Sequence, residues 1–269
     1  MHHMTQSTPP SSPELAWSSE DLSGNPHDAP DKSDRVRRMF SAIARSYDLN
    51  NRIHSFGRDQ AWRRAAVRMA ELRPADEVLD VACGTGDLAQ AFADAGARRV
   101  VGLDFTPAML DIARFKAERR GADASIEYVQ GDAMALPHAD ASFDVVSIAF
   151  GIRNVEDPAA ALREFRRVLR PGGRLVVLEF SEPRNPLVRF GNRLYGRHVM
   201  PVTATLIARD RSGAYRYLPR SISTFLEPEA MRQQMRDAGF ADLASKPLTF
   251  GVCTLYRGRR DDDAGARPA

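Results

Sequence analysis

From Asp34 onward, apolar and polar positions fall first into two helical periods and then into short apolar runs alternating with helix-like segments. Val36, Met39, Phe40, Ile43 and Tyr47 recur at helical spacing and predict a helix with one apolar stripe. A second helix is predicted from about Arg58 to Leu72, with Trp62, Ala66, Val67 and Met69 inward and Pro74 as its stop. Tyr47-Asp48 falls at the expected break between the two, where a lid over a ligand would form. Val78, Leu79 and Val81 form an apolar, β-favouring run short enough for a strand buried on both faces. Further strands are predicted at Val100–Leu103, Ile126–Val129, Phe143–Ala149 and Leu175–Phe180. Helix starts lie between them: Asp87, then Thr106 as a cap before Pro107, then Asp157 before Pro158. This alternation predicts right-handed crossovers and a largely parallel sheet, with ligands outside the carboxyl ends of its strands.

The alternation stops at residues 181–226, a basic and aromatic stretch that includes Arg189, Phe190, Arg193, Tyr195, Arg197 and His198. It reads as a helical insert capping the open side of the sheet, with a mixture of cations and apolar groups suited to a lipid-facing entrance. A helix from about Pro228 to Ala238 and two closing strands within Phe240–Arg257 complete a domain over residues 34–257. Residues 1–33 are rich in Pro, Ser, Asp and Asn, and the expectation is a disordered tail whose removal leaves the fold intact; residues 258–269 are expected to form a second disordered tail.

Composition adds little. The chain has 269 residues, enough for one large α/β domain, and 38 basic against 35 acidic residues, too slight an excess to argue for nucleic acid. Cys83 and Cys253 lie too far apart for a zinc spacing or a disulfide framework, so no metal site is expected and the cytoplasm is the expected location. No run of apolar residues is long enough to span a bilayer.

The candidate chemistry gathers at the strand ends. Gly84-Thr85-Gly86 follows the first strand and opens a helix, which brings bare backbone and a helix N-terminus up to a nucleotide-like ligand. The turn also fits the dinucleotide fingerprint, with Asp104 at the distance expected for a ribose-binding acid. Asp80, a carboxylate just before the glycines, would repel a pyrophosphate and attract an ammonium and a sulfonium, the charges of S-adenosylmethionine. Its alternative role is to cap the glycine turn. Asp104 at the second strand end can hold a ribose diol, and Asp132, in Gly131-Asp132-Ala133, can accept from an adenine amino group or simply form a turn. Arg153-Asn154 follow the fourth strand. A nicotinamide oxidoreductase and a non-catalytic cofactor-binding scaffold remain open as other classes.

Five segments carry a resemblance: MFSAIARSYDLNN (39–51), VLDVACGTGDLA (78–89), SFDVVSIAFGIRNV (142–155), LRPGGRLVVLEFSEP (169–183) and AYRYLPRSI (214–222). Together they resemble the class I S-adenosylmethionine-dependent C-methyltransferases of ubiquinone and menaquinone biosynthesis. The resemblance implies a Rossmann-like, seven-stranded sheet with an antiparallel last strand, N-terminal helices and methylation of a polyprenyl quinol on a ring carbon. It places the family's cofactor contacts on Thr85, Asp104, Asp132 and Ala133, beside Asp80, Gly84 and Gly86 from the turn itself. Arg153, Asn154 and Tyr47 are the expected catalytic groups, holding a water and the quinol oxygen while Arg153 stabilises the developing phenolate. Such a substrate implies transient contact with the inner face of the cell membrane; a homodimer is compatible with the sequence.

Overall fold

The computed structural model describes residues 15–121, 125–208 and 210–261. Seven strands form one sheet in the order β3-β2-β1-β4-β5-β7-β6. They are β1 (Glu77–Val81), β2 (Arg99–Asp104), β3 (Ile126–Gln130), β4 (Phe143–Ala149), β5 (Leu169–Phe180), β6 (Phe240–Leu248) and β7 (Cys253–Arg260). β1 to β5 pair in parallel, whereas β7 runs antiparallel to both β5 and β6. The order reverses between β1 and β4, so the crevice for a ligand opens there, at the carboxyl ends.

Alternation along each strand supplies both faces. Leu79, Val81, Val101, Val146 and Val177 pack beneath α5 (Pro158–Val168) and α9 (Pro228–Asp237), while Val78, Val100, Val145 and Val176 face α2 (Arg58–Met69) and α3 (Asp87–Asp94). Asp157 caps α5, accepting from the backbone N–H groups of Ala159 and Ala160 at 2.9 and 3.1 Å. Thr106 sits at the start of α4 (Pro107–Arg120) as expected but makes no side-chain cap bond; its own N–H instead donates to Asp104.

Three expectations change. α1 runs unbroken from Lys32 to His54, so Tyr47 and Asp48 lie inside a helix and not in a lid loop. The Asp-Leu-Asn-Asn sequence has weak helix propensity, but tertiary bonds from Asp48 outweigh it. The segment from residue 15 to α1 is docked: Ala16 and Trp17 are fully buried against α1, α7 (Met200–Ala208) and α8 (Ala214–Ser223), and both donate backbone N–H to Ser212 O. One tryptophan with adequate neighbours anchors a segment whose average composition is polar. β7 likewise extends to Arg260, past the expected end of the domain, because its ladder with β5 and β6 continues through Gly258, Arg259 and Arg260. Residues 1–14 and 262–269 of the two expected tails lie outside the described residues.

The insert is helical, as expected: α6 (Pro186–Leu194), a π-helical turn over Tyr195–Val199, α7 and α8. No described helix is long and apolar enough to cross a membrane.

Candidate active site

Two adjoining cavities lie over the strand ends. The first, of about 280 Å³, is walled by the ends of β1 (Val81, Ala82), β2 (Leu103 to Thr106), β3 (Gly131 to Met134) and β4 (Ala149 to Gly151). The second, of about 750 Å³, lies between α1 and the insert and is lined by aromatic and aliphatic groups together with several arginines, among them the buried Arg63 and Arg153, and by Asp59 and Glu182. Phe40, Tyr47 and Phe150 line both. Phe150 holds a positive φ of 59°, a conformation that costs about 1–3 kcal/mol and gathers at ligand sites. Gly151 beside it cannot be replaced cheaply, since a Cβ there would lie 2.6 Å from Ala82 Cβ.

Asp104 lines the first cavity with its carboxylate fixed in place. One oxygen accepts from Gly84 N and the other from Thr106 N, each at 2.8 Å. Burial raises its pKa, while these N–H groups oppose the rise. Each oxygen keeps a lone pair, which matches a vicinal diol. Asp132 is held by Met134 N at 2.8 Å, and Ala133 beside it is buried; both line the same cavity. Asp104→Ala is expected to weaken S-adenosylmethionine binding by about 1–3 kcal/mol through lost charge-assisted bonds. Calorimetry on a folded variant checks this, and an unchanged affinity would remove Asp104 from the site.

The other turn residues work behind the wall. Gly86 has φ +81°, and a Cβ there would meet Tyr128 Oη at 2.4 Å, so only glycine fits. Thr85 does not line the cavity; its hydroxyl donates to Asp48 of α1 at 2.6 Å. Lys116 of α4 donates to Asp48 at 2.6 Å and to Asp87 at 2.5 Å, and Arg52 reaches Asp87 at 3.0 Å. Burial alone would raise the Asp87 pKa, but Lys116, Arg63 and Arg52 bring it down to about 2. This network ties α1 to the glycine turn. Arg52 and Lys116 were not singled out by sequence, and Asp48 and Asp87 only as a helix break and a helix start, because their meeting depends on three helices, α1, α3 and α4, converging.

Asp80 is also absent from both cavity walls. It points to the α2–α3 face, accepts from Ser147 Oγ at 2.7 Å and leaves its other oxygen buried without a partner among the described residues. Burial pushes its pKa up to about 7. A group so placed is a weak attractor for a ligand charge.

The expected catalytic trio is divided between the cavities. Tyr47 lines both, Asn154 the first and Arg153 the second. Burial raises the Tyr47 pKa, so its phenol stays protonated at neutral pH and can donate. Arg153 is buried and donates to Glu179 Oε1 and Phe150 O, both at 2.7 Å, with its guanidinium over the Phe180 ring. Glu179 therefore compensates much of its charge. The signal for that partner is in the sequence, as the lone acid inside the apolar run LVVLEF. Among the described residues, no group of three or more His, Cys, Asp or Glu could hold a metal.

Comparison with known proteins agrees with this geometry. The chain is 48% identical over 223 residues to a demethylmenaquinone methyltransferase of Thermus thermophilus, covering 82% of this chain and all of that one. It is 46% identical over 232 residues to a demethylmenaquinone methyltransferase of Deinococcus radiodurans, covering 86% and 95% of the two chains. A SAM-dependent methyltransferase of Thermotoga maritima shares the fold, with a TM-score of 0.60 at 21% identity, over 83% of this chain and 99% of that one. Residues 29–260 match a single family description. With a methyltransferase sheet, fixed acids at its strand ends and relatives at this identity, the chain belongs to the ubiE/COQ5 methyltransferase family.

Proposed function

We propose that this methyltransferase alkylates a ring carbon of a polyprenylated naphthoquinol, converting demethylmenaquinol to menaquinol with S-adenosylmethionine as donor. The observation that carries this reading is the wall of Phe40, Tyr47 and Phe150 shared by a small cavity with Asp104 and Asp132 in its lining and a larger one rich in aromatic side chains. The names of the two bacterial relatives support the choice of acceptor. The residues of the first cavity fit the donor: Asp104 suits a ribose diol, and Asp132 with Ala133 suits an adenine edge. S-adenosylmethionine supplies an electrophilic methyl on a sulfonium.

The protein's part is alignment and charge control. Aromatic walls at the junction exclude water from the path between donor and acceptor, and confinement replaces a bimolecular encounter. The acceptor carbon becomes nucleophilic when a quinol hydroxyl loses its proton. Its bond to the methyl forms as the carbon–sulfur bond breaks, and S-adenosylhomocysteine leaves. The ring carbon's own hydrogen departs as a proton while the oxygen is reprotonated, a net loss of one proton. Tyr47 and Asn154 can donate to that oxygen, and Arg153 stabilises it as charge develops, with the proton leaving through a water. Incubating the purified protein with S-adenosylmethionine and reduced demethylmenaquinone should give a quinone heavier by one methyl group. Methylation of the oxygen, or none at all with active cofactor present, would overturn the reading.

The substrate's polyprenyl chain stays in the bilayer, so we extend the reading to the membrane surface. Leu187, Phe190 and Leu194 form one exposed face of α6, and Val202 and Leu206 of α7 are exposed too. The neighbouring Asn192, Arg193, Tyr195, Arg197 and Met200 line the larger cavity, so an entrance there would open toward lipid. Arg193 is bonded to Glu182 at 2.7 Å, which leaves the apolar face as the main attraction. Leu187→Ser with Phe190→Ser should weaken binding to vesicles by more than tenfold, about 0.8 kcal/mol per CH₂ removed from lipid. Equal binding by the parent and the double variant would exclude this face.

A further inference from the structure

Asn154 is held by a chain of contacts that begins near the start of the described protein. Its Nδ2 donates to Phe150 O at 3.2 Å, and its Oδ1 accepts from Tyr217 Oη at 2.9 Å. Tyr217 is almost wholly buried and lines the larger cavity. Its ring stacks on Trp17, with centroids 4.7 Å apart and planes 21° from parallel. Trp17 is fixed in turn by its backbone N–H to Ser212 O at 3.1 Å and by Arg35 over its indole, 5.3 Å from the ring centroid. The close approach leaves no slack, since a Cβ on Gly213 would lie 2.3 Å from Trp17 O.

These contacts settle which end of the amide faces the ligand. An asparagine side chain has an acceptor end and a donor end of nearly equal shape. The Phe150 carbonyl can only accept, which puts Nδ2 on it and leaves Oδ1 to accept from the Tyr217 hydroxyl, kept protonated by burial that raises its pKa to about 12. The Tyr217 bond holds Oδ1 in that arrangement, with Nδ2 at Phe150 O, and Asn154 lines the first cavity. One Nδ2 proton is used by Phe150 O, and the second has no acceptor among the described residues. We propose that Tyr217, braced by Trp17 of the N-terminal segment, is a positioning residue that fixes the Asn154 amide with an N–H donor toward the reacting oxygen.

This rests on the proposed methyl transfer to a quinol, in which the acceptor oxygen gains negative charge and calls for a donor. It goes further in making turnover depend on two residues outside the reacting groups. It also accounts for Tyr217 within the Tyr-Arg-Tyr-Leu-Pro segment, whose buried hydroxyl is bonded to Asn154 while the residue lines the larger cavity.

The test is a double-variant cycle on the full chain. Tyr217→Phe keeps the ring and the stack but loses the donor. It should lower kcat about tenfold, the size of one neutral hydrogen bond, with S-adenosylmethionine affinity unchanged. Asn154→Asp removes the donor from the cavity and should lower kcat at least as much. If Tyr217 acts through Asn154, adding Tyr217→Phe to Asn154→Asp lowers kcat no further. Independent, multiplying losses would overturn the proposal, as would normal turnover in Tyr217→Phe. A second readout needs no activity: the Asn154 side-chain amide signals in NMR, assigned by their absence from Asn154→Asp. They should shift or broaden in Tyr217→Phe as the amide is freed, and unchanged signals overturn the proposal whatever the turnover. Should Tyr217→Phe fail to fold, Trp17→Phe, which loosens the brace and spares the hydroxyl, is read the same way. A parent protein that methylates no quinol brings down the substrate reading, while the amide signals still decide this one.

Discussion

Arg153→Ala should cost about 3–5 kcal/mol of folding stability, the usual penalty for breaking a buried ion pair by removing one partner. Glu179 is only 2% exposed and would be left with two backbone donors and no cation, Phe180 N at 2.8 Å and the N–H of residue 153 at 3.4 Å. Turnover should fall by roughly 10²–10³ as well, by analogy with lost oxyanion donors, because the cation matters most when the quinol oxygen is anionic. The two effects separate in Arg153→Met with Glu179→Gln. That pair removes both charges, so stability should largely return while turnover stays low. Arg153→Lys should restore only part of the activity, a point charge in place of a planar fork. Urea unfolding and kcat measured on all three decide it. A single Arg153→Ala variant that is both stable and active would show that neither role belongs to Arg153. Recovery of activity together with stability in the double variant would leave it a structural role alone.

Trp17→Ala should destabilise the protein by about 3 kcal/mol, at the lower end for loss of a buried tryptophan. The reasons are its complete burial, its stack on Tyr217 and its contacts with α1, α7 and α8. Its indole N–H has no acceptor among the described residues, which offsets part of the gain and sets the figure low. Deleting residues 1–22 should cost more. It also removes Asp21, whose ion pair with Arg35 spans 2.9 Å, and the backbone bonds from Ala16 and Trp17 to Ser212. Thermal melts of the parent, Trp17→Ala and the truncated chain measure this directly. A truncated protein melting within a degree or two of the parent would show that the segment is dispensable, as its composition suggests.

The sequence alone determined the sheet and the site's ground plan. Two-residue and 3.6-residue periods are written locally, so strands and helices could be placed from neighbours a few positions away. Asp104 and Asp132 were placed near one another because one ends a strand and the other lies just past one, and in a parallel sheet strand ends converge; both line the first cavity. The methyl donor was suggested by charge at the glycine turn, although the acid used for that argument, Asp80, faces α2 and α3 and lines neither cavity. Only its pairing with Ser147 in β4 and its burial beneath α3 could reveal this. The continuity of α1 through Asp48, and the burial of Trp17 in a polar segment, also depended on partners far along the chain. Thr85, Lys116 and Tyr217 lie 37, 68 and 200 residues away. The charge on Arg153 was legible, and Glu179 stood out as a lone acid in an apolar run, but that the two pair across 26 residues was not. Local propensity reports what a segment prefers in isolation; a buried partner changes that preference by several kcal/mol, and only the tertiary structure brings the partner to it.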